Sequence, residues 1–223
     1  MPSSTFNPQA APTVTSPEVV DLQFALHGRA IPEDYADALW GALSAALPWL
    51  AEEARAGIHP VYGLSPGSGE WYLSRRSRLV MRLPRQRAEA AQALVGAHLS
   101  LGGLTVEVGG AAVKELTELP VIYAKFVALT PPDPTGAPIG EAAFLTACQA
   151  QFAALGILPK FICGKAQRTA TPAGLLSGFS LLLTGLDAAA NLRLQQEGLG
   201  IERKRGCGIF IPHKSFAAVA TLE

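Results

Sequence analysis

The chain has 223 residues, 49% of them hydrophobic and only 16% charged, which is material for one large or two small packed cores. Its 18 Lys and Arg balance 18 Asp and Glu, and a formal net charge of zero excludes a protein that grips polyanions with its whole surface. No apolar run approaches the ~18 residues a membrane-spanning helix needs. Three widely spaced cysteines, Cys148, Cys163 and Cys207, fit neither a disulfide framework nor a metal site and suit reduced thiols of a cytoplasmic protein.

Residues 1–17, rich in Pro, Ser, Thr and Ala, are expected to form a disordered tail. A β-rich run at Val19–Leu26 ends at His27-Gly28. Pro32, Glu33 and Asp34 then stand where a helix N-terminus favours proline and acids, and Tyr35, Leu39, Leu43 and Leu47 recur at helical spacing. After an irregular loop past Gly57 come two predicted strands, Glu70–Ser74 and Arg78–Leu83. A helix from Pro84 to Leu94 follows, with Ala88, Ala91 and Leu94 inward. A strand at Leu104–Val108 and an extended piece at Val113–Leu119 complete the set.

The second half repeats the order. Val121–Leu129 predicts a strand, Ile139–Leu155 a helix ended by Gly156, and Lys160–Cys163 with Leu175–Leu183 a strand pair around a connection bearing Lys165 and Arg168. A helix then runs to Glu197 with Asp187 as N-cap, and Cys207–Pro212 is the last strand. Two β-α-β-β-α-β units imply an α+β protein of two tandem ferredoxin-like (RRM-like, βαββαβ) domains, over 18–119 and 120–223.

Charge is unevenly spread. Six arginines and no acid lie between Arg75 and Arg87, among them Arg76, Arg78, Arg82 and Arg85. Near the end, Gly198, Gly200, Gly206 and Gly208 bracket Arg203, Lys204 and Arg205, with Lys214 beyond. Glycines there allow positive φ and an N–H concavity for an anion, and the cations add attraction to phosphate. A plain solvated hairpin tip is the alternative. His27, at a strand end beside glycine, is placed for acid–base work or is a surface turn residue. Tyr35 is a phenol for catalysis or the first apolar contact of its helix. His59 is a third catalytic candidate or a loop histidine bonded to backbone. No carboxylate cluster or His/Cys spacing marks a metal site.

Tandem units ending in a G-x-G-x5-G-x-G loop with basic residues inside it resemble the CRISPR-associated endoribonucleases that process precursor CRISPR RNA in type I (Cascade) systems. The likeness spans about residues 19 to 214. It is similar in particular to a myxobacterial-type branch, through LHGRAIPEDYADALWGAL, the Gly57-Ile58-His59-Pro60 segment, Ser77-Arg78-Leu79 leading to Leu83-Pro84, and the final Gly-Cys-Gly strand. The resemblance implies cleavage without metal or other cofactor, by attack of a ribose 2′-hydroxyl on the adjacent phosphate. It places a histidine where this chain has Tyr35, which leaves His27, Tyr35 and His59 as the catalytic candidates. RNA contacts would fall to Arg75, Arg76, Arg78, Arg82, Arg85, Lys165, Arg168, Arg203, Lys204, Arg205 and Lys214, with His213 beside the last and the four loop glycines. The implied partners are the repeat hairpin, which becomes the 3′ handle of the mature RNA, and other Cascade subunits, especially the backbone subunit. A non-cleaving hairpin-binding subunit, or a scaffold for a small anion or another protein, are the other readings.

Overall fold

The computed structural model describes residues 18–64 and 67–213, so the expected tail at 1–17 and Lys214 lie outside the described residues. In the first half, β1 (Val19–His27), β2 (Ala30–Pro32), α1 (Tyr35–Ala46), β3 (Gly57–Ile58), β4 (Glu70–Tyr72), β5 (Arg78–Pro84), α2 (Ala88–Ala91), β6 (His98–Leu101) and β7 (Leu104–Glu115) follow in order. β8 (Val121–Val127), α3 (Glu141–Ala154), β9 (Lys160–Thr171), β10 (Gly174–Thr184), α4 (Ala188–Glu197) and β11 (Ile211–Pro212) make the second. The sheets are antiparallel, in the orders β3-β5-β1-β7-β6 and β11-β8-β10-β9. β1 lies between β5 and β7 in the first sheet, which carries β6 as an added edge strand, and β8 lies between β10 and β11 in the second, the central pairings of the ferredoxin-like fold.

Period-two alternation builds β1. Leu22, Phe24 and Leu26 face a core they share with Leu39, Leu43 and Leu47 from α1 and its end, while Asp21 and Gln23 face the other way. The second core gathers Ile122, Phe144, Phe152, Leu181 and Phe210 and shares no member with the first. No described helix is long and apolar enough to cross a membrane.

Four sequence expectations need correction. The second sheet position of the first half is taken by Gly57–Ile58, which pairs with Arg82 and Met81, and not by the run at 70–74. That run is β4, and it forms a separate ribbon with β2. Two residues are too short to display alternation, so burial of Ile58 and the His59 N–H to Val80 carbonyl bond (2.9 Å) define the edge. The helix expected over Pro84–Leu94 is broken into 3-10 turns on either side of the four-residue α2, although Ala88, Ala91 and Leu94 are buried as expected. The extended piece at 113–119 is in part the end of β7. β9 and β10, 12 and 11 residues long, put Lys165 and Arg168 on a strand and not in a connection. Asp187 does cap α4, accepting from the Ala190 N–H at 2.7 Å.

Candidate nucleic-acid interface

The glycine-rich loop is the first feature whose local chemistry differs from expectation. Its glycines adopt positive φ, but the close approach they permit is to the protein's own backbone. A Cβ on Gly200 would lie 2.1 Å from the Ala128 carbonyl oxygen, and one on Gly208 2.1 Å from that of Leu199. The N–H groups of Leu199, Ile201, Cys207 and Gly208 go to the carbonyls of Gly208, Ala128, Glu202 and Phe126. These donors are consumed internally, so they make no nest for phosphate. Gly198 and Gly208 therefore let the loop close on itself, Gly200 lets it dock just beyond β8, and of the four only Gly206 borders the cleft described below.

The three cations of the loop diverge. Arg203 turns inward and donates from Nη2 to the Gln196 carbonyl at 2.9 Å; its Nε is enclosed with no partner among the described residues, and burial pushes its pKa down to about 10. Lys204 donates to the Ala51 carbonyl (2.6 Å) with Nζ 5.4 Å from the Trp40 ring centre. Arg205 pairs with Asp37 (2.7 Å) and Glu202 (2.6 Å).

Arg205 and Gly206 open onto a cleft of about 610 Å³ between the two halves. The first half contributes Tyr35, Pro60 and Trp71, with Glu33 and Asp34 on the rim; the second adds Lys125 from β8 and Gln167, Arg168 and Thr169 from β9. Tyr35 sits at the start of α1 with its phenol oxygen accepting from the Val61 N–H at 2.7 Å, and its ring is edge-on to Trp71 at 6.2 Å. Burial raises the Tyr35 pKa well above the ordinary value, so the phenol stays protonated, with its O–H directed to the Val61 carbonyl at 3.4 Å. Lys125 lies with Nζ 4.4 Å from the Trp71 ring centre and 5.2 Å from that of Tyr62, and burial lowers its pKa. Sequence reasoning missed Lys125: a lone lysine in the apolar run VIYAKFV carries no pattern beyond its i+2 spacing from Tyr123, which puts both on one strand face.

The remaining candidates fall elsewhere. His27 ends β1, exposed, with Glu107 as cross-strand neighbour, and does not line the cleft. His59 is buried and its Nε2 meets Asp21 Oδ1 at 3.1 Å. Burial holds this imidazole neutral, and it presents no free nitrogen at Nε2 for a substrate. Arg82, expected to touch RNA, is fully enclosed. It grips Asp21 through Nε (2.7 Å) and Nη2 (2.9 Å), and its Nη1 donates to the carbonyls of Gln195 (2.8 Å) and Phe210 (2.7 Å). Asp21 and Arg82 are cross-strand partners on the outer face of the first sheet, which the second half covers. Burial works to raise the Asp21 pKa, but His59 and Arg82 outweigh it and hold the carboxylate ionised. Arg75, Arg76 and Arg78 are exposed around the start of β5, with Arg78 bonded to the Arg75 and Ser77 carbonyls, while Arg85 pairs with Glu115. Lys165 is exposed on β9.

A family model described as "Cas6 Crispr" matches residues 20–215. The chain belongs to the Cas6 family. It is 32% identical over 193 residues to the Myxococcus xanthus (strain DK1622) protein named CRISPR-associated endonuclease Cas6, a match covering 86% of this chain and 81% of that one. Among solved structures, one titled CRISPR associated protein Cas6 superposes with a TM-score of 0.63 at 12% identity, covering 88% of this chain and all of the other. Another, titled as a RAMP protein binding different RNA substrates, gives 0.60 at 12% identity over 87% of this chain and all of that one. A Cas6-related protein from Pyrococcus furiosus gives 0.56 at 13% identity, over 88% and 99%. These likenesses carry the tandem ferredoxin-like fold.

Proposed function

We propose that this Cas6-family chain binds the hairpin of a CRISPR repeat and cuts the precursor RNA without metal. In this reading the 2′-hydroxyl at the cut site attacks the adjacent phosphate, leaving a 2′,3′-cyclic phosphate and a 5′-hydroxyl, and the protein stays with the product as a subunit of an interference complex. The observation that carries the reading is the cleft between the halves, where a neutral phenol and three cations, Lys125, Arg168 and Arg205, converge. Arg168 and Arg205 would hold phosphate oxygens, Tyr35 would orient the ribose, and the proton of the attacking 2′-hydroxyl would pass to solvent water. Lys125, whose ammonium is partly stripped of water, would stabilise the charge that develops and protonate the departing 5′-oxygen.

A second reading has its own support. Neither His27 nor His59 lines the cleft; His59 shares a small adjoining cavity with Tyr35, but its Nε2 is taken by Asp21, so no free imidazole base faces the cleft. That favours a hairpin-binding subunit that has lost cleavage. Incubating the protein with a labelled repeat hairpin in EDTA separates the two: cleavage, abolished by a 2′-deoxy substitution at the cut site, supports the nuclease. Tight binding with no cut supports the silent subunit, and no binding overturns both.

A further inference from the structure

We propose that an aromatic strip leaving the cleft, formed by Tyr62 and Tyr123 with Lys125 beside them and Trp71 at its cleft end, binds unpaired nucleotides of single-stranded RNA by stacking on the two tyrosines. The biological identity of that RNA, a single strand flanking the repeat hairpin, rests on the reading above.

Position carries the argument. Tyr62 is 52% exposed, and neither it nor Tyr123 packs with either hydrophobic core. Apolar rings that lie together at the surface outside a core mark an interaction site, where single exposed rings would not. They are also contiguous. The Lys125 ammonium bridges Trp71 and Tyr62, Tyr123 stands two residues away on the same face of β8, and its phenol is near enough to help raise the pKa of Tyr62. The Tyr123 ring tilts against His213 at 5.6 Å between centres. On the same sheet face, Tyr123 is flanked in register by Ile211 and Leu182, and Leu182 by Ile162, which is 54% exposed. Flat rings on an apolar shelf offer faces to bases of any sequence, and the embedded ammonium matches the charge of the connecting phosphates. Because Trp71 and Lys125 belong to the cleft as well, the strip continues the path of a strand held there.

The test uses the full chain and repeat hairpins carrying a six-nucleotide extension at the 5′ or the 3′ end, each made with bases or with abasic residues. A free octauridine is the third probe. For the wild type, bases in one of the two extensions should tighten binding about tenfold over the abasic version, near the low end of what a stacked base contributes. The pair Tyr62→Ala and Tyr123→Ala should lose that gain by the same factor at every salt concentration, and the pair Tyr62→Phe and Tyr123→Phe should keep it. Equal binding of base-bearing and abasic RNA at both ends, or a gain that survives in the alanine pair, overturns the strip and leaves any hairpin binding intact. If the hairpin is not bound while octauridine is, with the same alanine and phenylalanine pattern, the hairpin reading falls and the strip stands. Binding of neither RNA overturns both.

Discussion

At the scale of single residues, the cationic side chains divide into those enclosed by the protein and those that line the cleft or the open surface. Arg82 has every described bond within the protein, so it belongs to the first set. Removing one partner of a buried ion pair leaves the other uncompensated, so Arg82→Ala is expected to lower unfolding stability by about 3–5 kcal/mol, measured by urea denaturation. An arginine that served only RNA would leave the urea midpoint unchanged. Lys125 lines the cleft, where the proposed mechanism makes it the acid. Lys125→Met should slow single-turnover cleavage of the repeat hairpin about 100-fold while the protein stays folded. Acting as an acid, the group must be protonated, so the rate should fall as pH rises through its lowered pKa, and that alkaline limb should vanish in the variant. These roles were only partly legible beforehand: a string of arginines reads as cationic whichever way each side chain turns.

At the scale of elements, the C-terminal loop is built for docking first. Gly200 has φ +82° and no room for a Cβ, so Gly200→Ala combines backbone strain with a clash against the Ala128 carbonyl. A loss of about 2–3 kcal/mol is expected. Gly136→Ala, at φ +79° but in open space, should cost only about 1 kcal/mol; equal effects would refute the docking role. Within the loop, Arg205 borders the cleft and Arg203 does not. Arg205→Ala should therefore reduce the slope of log affinity against log salt by about one phosphate contact, whereas Arg203→Ala should leave the slope unchanged. The glycine spacing marked the loop in the sequence, but spacing does not say which backbone, ligand or protein, comes close. β3 was invisible for another reason: a two-residue strand has no period to detect.

At the scale of the whole molecule, the halves are joined by buried polar groups. Asn191 and Gln195 of α4 donate to the Leu119 and Thr117 carbonyls, and Arg82 ties the first sheet to the end of α4 and the approach to β11. His59 and Asp21 sit at this junction and make its stability depend on pH. His59 is held neutral by burial, with a folded pKa below the 6.5 it has when unfolded. Below about pH 6.5 the unfolded chain takes up a proton that the folded protein refuses, so stability should fall as pH drops, by at most about 1.4 kcal/mol per pH unit from this group. Asp21, depressed in the folded state, contributes stability above the ordinary carboxylate range, and that contribution is lost as pH falls through its folded pKa. Urea midpoints between pH 8 and 5 should show the first decline, and His59→Asn should flatten it.

Sequence alone determined the duplicated α+β order, the buried face of α1 and the Asp187 cap of α4, because helical spacing and caps are local properties of the chain. It also singled out Tyr35 and the loop bearing Arg205 as candidates. Only the tertiary structure decided that these two share one cleft with Lys125, that Arg82 and His59 are enclosed, and that His27 lies off the cleft wall. Burial and convergence are set by which surfaces of the two halves meet, and residues as distant as Tyr35 and Arg205 carry no local signal of meeting.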